Sequence, residues 1–286
     1  MHSINMDNPK NSEEYLAFAK KIALKSGTIL EKYRYSFTIK RAKDTLKLDI
    51  ATNADYAAEQ SLITTIREVY PLHGILAEES GVSLADAEYV WIIDPLDGTK
   101  EYTRNSPYYY TLLSLEHKGA PVCAVGYQPA IQRMFSGSLG SGAYVNDKKI
   151  HVSTESRLDK SFIHIGIPNK EFPKNEVVTY MQTAQDLIFA AYRLRSTQWD
   201  VEGLFNVAMG AVEAYILPPS TSVVGRPKWW DLSSGLQVAE MAVSKITDFY
   251  GNPIRFHDPT KGIVASNGLI HTDLLSILKT RYPATC

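Results

Sequence analysis

Only two cysteines occur among 286 residues, Cys123 and Cys286, far apart and in no Cys-x-x-Cys motif. That spacing argues against a thiolate zinc site or a disulfide framework and fits the reduced thiols of a cytoplasmic protein. The seven histidines include no His-x-x-x-His pair, so an imidazole metal site has no support either. No run approaches the roughly eighteen apolar residues of a membrane span. The N-terminal "MHSINMDNPKNSEE" lacks the basic start and apolar stretch of a secretory signal. Excess charge is missing as well. Lys and Arg number 30 against 31 Asp and Glu, a formal net charge of −1, which gives no bulk attraction for a nucleic-acid polymer or an anionic membrane. Any affinity for phosphate is therefore local. Internal repeats and low-complexity segments are also absent.

What is present is ordinary globular composition, 44% hydrophobic and 21% charged, in a chain long enough for a large core. Apolar residues at 15, 16, 19, 22, 23, 29 and 30 have a helical period, with Asn11 or Ser12 as the expected cap. "KLDIATNADYAAEQSLITTIREVYP" begins extended and turns helical near residue 54, stopping before Pro71. "GILAEES" and "YVWIID" read as short buried strands ending in acidic residues, and residues 110–153 as a β-meander. Beyond residue 154, strand and helix patterns alternate, with a last helix at 271–281. The expectation is an α+β subdomain over 1–153, rich in antiparallel strands, followed by an α/β subdomain over 154–286.

Four carboxylates stand at element ends: Glu78, Asp94, Asp97 and Asp231. Oxygen donors of this kind suit a hard cation, Mg²⁺ first, because it takes a few carboxylates and leaves room for water and phosphate. Each also has an ordinary structural role. Asp94-Pro95 and Asp97-Gly98 build turns, Glu78 and Glu79 make a solvated strand end, and Asp231 caps the helix after it. Asp55, three residues after Thr52, fits a capping box. The glycine-rich "GSLGSG" is followed by "AYVNDKKIHVS", which reads as a hairpin; a dinucleotide fingerprint, and with it an NAD-linked oxidoreductase, would need a helix at 143–152.

Taken together, "DIATNAD" (49–55), "LAEES" (76–80), "WIIDPLDGTKEY" (91–102), "GSGAYVN" (140–146) and "WWDLSSG" (229–235) resemble the successive motifs of the inositol monophosphatase family. The resemblance is nearly continuous over residues 45–153 and thins afterwards, apart from "VAMG" (207–210) and the Trp-Asp motif. It implies a layered αβαβα sandwich and a Mg²⁺-dependent, lithium-sensitive phosphatase acting on small phosphate monoesters. It further implies that Glu78, Asp94 and the Leu96 carbonyl hold a first ion and that Asp94, Asp97 and Asp231 hold a second. Glu78 would lie near a third, weaker ion, which places it with Asp55 and Thr99 among the catalytic residues. Asp55 and the Thr99 hydroxyl would orient and deprotonate the attacking water, a general-base role. Gly98 lets the backbone approach a phosphate, and the Gly98 and Thr99 amides would bind its oxygens beside Asp97. The resemblance also suggests a homodimer.

Within the family, "TKEYTRN" (99–105) is closer to the 3′(2′),5′-bisphosphate nucleotidases than to plain inositol monophosphatases. Residues 217–228 contain no carboxylate but carry Arg226 and Lys228, which suit a second phosphate. Trp199 and Trp229 offer rings for a base. A 3′-phosphonucleotide such as adenosine 3′,5′-bisphosphate is therefore the favoured substrate, with inositol monophosphate, histidinol phosphate and sugar phosphates as alternatives. One departure stands out: after Arg195, where the family has a small-residue turn contacting phosphate and substrate, this chain has Gln198, Trp199 and Asp200. That departure motivates a rival of another class, a metal-dependent binder of phosphorylated ligands without catalysis.

Overall fold

The computed structural model describes residues 9–42, 50–84, 86–168, 171–197, 200–222, 226–254 and 258–283. The chain divides into two compact units, Met1–Lys149 and Ile150–Cys286. In the first, helix α1 (Pro9–Tyr33) precedes strands β1 (Ile39–Ala42) and β2 (Ile50–Thr52) and helix α2 (Asn53–Val69). Then come β3 (Gly74–Ala77), β4 (Gly81–Ser83), β5 (Tyr89–Asp97) and the one-turn helix α3 (Thr99–Tyr102). The meander follows as β6 (Tyr110–His117), β7 (Ala120–Gln128), β8 (Arg133–Ser138), β9 (Gly142–Val145) and β10 (Lys148–Ile150). The sheet order is β10-β9-β8-β7-β6-β5-β3-β4. Its pairings include one parallel pair, β3 with β5, and antiparallel neighbours through the meander.

Helices α1 and α2 supply Ala19, Ile22, Ala23, Leu62 and Ile66 to a core shared with Trp91, Ile93, Leu113, Leu115 and Val125 of the sheet. Close approach of α1 depends on Gly27, where a Cβ would stand 2.5 Å from the Tyr127 ring. The helix opens at Pro9, so neither Asn11 nor Ser12 is its cap. Proline suits a first helical position because its fixed φ is already helical and its missing N–H is not needed there. Ser12 instead donates its hydroxyl to the Leu139 carbonyl at 2.9 Å. The glycine run forms the predicted hairpin: Asn146 and Asp147 both take positive φ, 43° and 64°, between β9 and β10. With no helix there, the dinucleotide reading fails.

The second unit carries β11 (Phe162–Ile165), α4 (Lys174–Ala190), β12 (Arg193–Ser196), α5 (Asp200–Ala208) and β13 (Ala214–Leu217). It continues with α6 (Trp229–Met241), β14 (Lys245–Thr247), β15 (Ile263–Ser266) and α7 (His271–Arg281). The sheet order is β12-β11-β13-β15-β14, parallel at β11 with β12 and β13 and antiparallel beyond. Ile163, Ile165, Leu187, Ile216, Val264, Leu274 and Leu278 fill the core between sheet and helices. Among the described residues, no helix is long and apolar enough to cross a membrane.

Candidate metal and phosphate site

The acidic stretch "IDPLDGT" is a strand with a bulge, where the sequence suggested consecutive turns. β5 pairs Asp94 with Leu112 and next pairs Asp97 with Tyr110, three residues against two. Pro95 has no N–H to give the ladder, so the extra residue is accommodated beside it. The Pro95 carbonyl is held by the Thr111 hydroxyl at 3.0 Å. The bulge bends the strand end, and Asp94 closes it by accepting the Leu96 N–H at 2.9 Å. Asp94 is 1% exposed, while Asp97 is half-buried. Each offers a carboxylate oxygen within 4.8 Å of the other's.

Glu78 arrives from the neighbouring strand. β3 pairs in parallel with β5, Ala77 opposite Ile93, and the Glu78 N–H donates to the Ile93 carbonyl at 3.2 Å. Parallel strands end on the same side, so Glu78 and Asp94 leave the sheet together, where ligand sites of such sheets form. The turn after Glu78 is held by a residue the sequence reading passed over. Glu59, 3% exposed on α2, accepts the Glu79 N–H at 2.9 Å. The available signal was its position four residues after Asp55, on the same helix face.

Asp55 is fully buried at the start of α2. Its Oδ2 accepts from the Thr52 N–H at 2.8 Å and the Thr52 hydroxyl at 2.6 Å, and Thr52 in turn caps the Ala54 N–H at 3.1 Å. The capping box expected at Thr52 and Asp55 is therefore present. Its other oxygen, Oδ1, lies 3.0 Å from the Thr99 hydroxyl. Burial pushes the Asp55 carboxyl up to about 6; the hydrogen bonds from Thr52 and Thr99 oppose the shift, and the Glu78 charge adds to it. Thr99 Oγ1 is also 3.0 Å from the Leu96 carbonyl. Gly98 precedes it at φ 91°, a left-handed conformation that glycine adopts without a Cβ clash and that starts α3 directly after the strand. Capping box and acidic strand end are thus joined by one threonine.

In the second unit, Asp231 occupies the third position of α6, and the cap is Lys228, whose N–H donates to the Asp231 carboxylate at 2.6 Å. The expected cap role thus shifts by three residues. A carboxylate here is favoured by the orphan amides of a helix start. Arg226 donates to the Ser220 carbonyl at 3.1 Å, within its own loop. Asp200 opens α5 and accepts a hydrogen bond from the Tyr215 hydroxyl. Trp229 is 6% exposed at the first position of α6. Gln198 and Trp199 lie outside the described residues.

The donors that come together at the strand end are hard carboxylate oxygens, Asp94 and Asp97, and the Glu78 backbone is tied to the same strand through the Ile93 carbonyl. That set fits Mg²⁺ rather than zinc or copper.

A family model described as "Inositol monophosphatase family" matches residues 11–281. Among similar proteins, the Nus factor SuhB of Salmonella typhimurium is 30% identical over 265 residues, 92% of this chain and 95% of the relative. The fructose-1,6-bisphosphatase/inositol-1-monophosphatase of Aquifex aeolicus is 26% identical, covering 94% and 97%. The solved structure of inositol monophosphatase from Anabaena (Nostoc) sp. PCC 7120 superposes with a TM-score of 0.78 at 30% identity, covering 94% of this chain and 97% of that one.

Proposed function

Because the chain belongs to the inositol monophosphatase family, a family of layered α+β phosphatases, we propose that it hydrolyses a small phosphate monoester with water in a Mg²⁺-dependent reaction. The observation that carries this reading is the Thr99 hydroxyl, 3.0 Å from both Asp55 and the Leu96 carbonyl, at the end of the bulged acidic strand. Glu78, Asp94, the Leu96 carbonyl, Asp97 and Asp231 are the proposed ligands. When bound, Mg²⁺ lowers the pKa of a water and neutralises charge on the phosphoryl oxygens.

The chain's own part is positioning and proton transfer. A threonine hydroxyl has one proton and donates one hydrogen bond at a time. Donated to Asp55, it leaves the Leu96 carbonyl lone pairs for an ion and turns the Thr99 oxygen into an acceptor for the attacking water. The proton leaving that water then passes through Thr99 towards Asp55, whose raised pKa suits a base working near neutral pH. Gly98 and Thr99 amides hold the phosphate, and no covalent phosphoenzyme is required.

For the substrate, "TKEYTRN" and the basic pair Arg226 and Lys228 support a 3′-phosphonucleotide. A second reading, inositol monophosphate as substrate, is supported by the likeness to the inositol monophosphatase of Anabaena (Nostoc) sp. PCC 7120. A phosphate-release screen over adenosine 3′,5′-bisphosphate, inositol 1-phosphate, histidinol phosphate and fructose 1,6-bisphosphate, with and without Mg²⁺, ranks the two. Release from none of them in Mg²⁺, with binding of the same compounds intact, would replace hydrolysis by ligand binding alone.

A further inference from the structure

Residues 78–80 form the loop between β3 and β4, which pair antiparallel with Ala77 opposite Gly81. Glu78, a proposed ligand, therefore sits on the tip of a hairpin. β4 is three residues long and ends the sheet order, so among the described residues it pairs on one side only. An edge element of this kind opens more readily than strands inside a sheet. On the strand side, the Glu78 N–H is held by the Ile93 carbonyl at 3.2 Å. The residues that follow are gripped from α2.

The grip is a buried carboxylate. Glu59 is 3% exposed and accepts the Glu79 N–H at 2.9 Å; the Ser80 N–H and hydroxyl also donate to it. Burial raises the Glu59 pKa; the bonds from Glu79 and Ser80 oppose the shift, and the Glu79 charge adds to it. An ionised carboxylate is an acceptor only, with lone pairs for all of these donors. An amide of the same shape would turn its own NH₂ towards some of them, and an apolar side chain would satisfy none. Glu59 also stands one turn after Asp55 on α2, so the two leave the helix on the same face. Asp55 reaches the Thr99 hydroxyl at 3.0 Å while Glu59 reaches the hairpin tip. One helix thus carries both the proposed base and the anchor of a proposed ligand.

We infer that Glu59 is a positioning residue: it holds residues 79–80 so that the Glu78 carboxylate is already aimed when a cation arrives. The inference rests on the Mg²⁺-dependent phosphatase reading and divides the work between two acids. Glu78 attracts the ion, and Glu59 keeps the tip that carries it in one conformation. A loop fixed before binding has little freedom left to lose on binding. The effect of Glu59 therefore falls on Mg²⁺ affinity and much less on the chemical step.

Calorimetric titration of the whole chain with Mg²⁺ reads the anchor without reference to turnover. Glu59→Ala is expected to weaken Mg²⁺ binding at least about ten-fold, the usual scale for groups that orient metal ligands. Glu59→Gln keeps one acceptor oxygen and falls between that variant and the wild type. At saturating Mg²⁺, kcat for phosphate release changes much less than the affinity, a split that a general loss of stability does not produce. Amide hydrogen exchange at Glu79 and Ser80 speeds up in Glu59→Ala. Unchanged Mg²⁺ affinity in folded Glu59→Ala overturns the inference, and so does a kcat at saturating Mg²⁺ that falls as far as the affinity. If Glu59→Ala does not fold, Glu59→Gln decides: wild-type affinity and wild-type exchange at Glu79 and Ser80 overturn it. A wild type that binds Mg²⁺ but releases no phosphate, with binding weakened in the variants, removes hydrolysis and sustains the anchor. A wild type that binds no Mg²⁺ overturns both.

Discussion

Thr99 has one proton and two acceptors at 3.0 Å, and which one receives it decides what the residue can do. With the side chain cut back, the carboxylates remain but the route from water to Asp55 is lost. Thr99→Ala is expected to lower kcat/KM about 100-fold, the scale of general-base contributions, with Mg²⁺ affinity changed little. Phosphate release together with metal titration checks both halves. A second single-residue prediction concerns His271, fully buried between the Ser266 and Thr247 hydroxyls at 2.8 and 2.9 Å. Burial, aided by the Lys245 charge, brings its pKa from 6.5 to about 4. The unfolded chain therefore binds the proton more readily between pH 6.5 and 4. His271's contribution is complete above pH 6.5 and falls away as pH drops towards 4, by about 3 kcal/mol at most. Urea unfolding at pH 4.5 and 7.5 measures it, and His271→Gln flattens that part of the difference.

At the scale of elements, α5 is placed by what it lacks. A Cβ on Gly203 would stand 2.2 Å from the Tyr215 ring, and one on Gly235 of α6 would stand 2.8 Å from Leu204. Gly203→Ala is expected to cost about 1–3 kcal/mol through overpacking, read as a lower urea midpoint at unchanged slope. The same displacement would move the Tyr215 hydroxyl that holds Asp200. Element types were largely legible in the sequence, because "GILA", "YVWIID" and the α2 periodicity are local patterns. The bulge at Asp94–Asp97 was not legible, since it is a relation between β5 and β6. Ser12 looked like a cap because the Leu139 carbonyl, 127 residues away, leaves no local trace. Asp231 looked like a cap because the sequence marks a helix start only to within a few residues.

For the whole molecule, the motifs carried the family, and Asp94 and Asp97, which they named, do come together. Carboxylates brought close together repel one another, so a cation that binds the native state stabilises it by mass action. Mg²⁺ at about 100 times its Kd is expected to add about 2.7 kcal/mol and raise Tm. Asp94→Asn keeps an acceptor for the Leu96 N–H and should stay folded, yet lose both the Mg²⁺-dependent rise in Tm and phosphate release. Thermal melts with and without Mg²⁺ decide it; an undiminished rise in the variant would remove Asp94 from the metal site.

The proline in the bulge has a consequence for assembly. Side chains alternate along a strand, so β5 slipped by one residue against β6 would turn Ile93 out of the core and set Pro95 where the ladder calls for a donor. Both errors cost stability, which favours the observed register. Pro95 thus helps fix the register that brings Asp94 and Asp97 together.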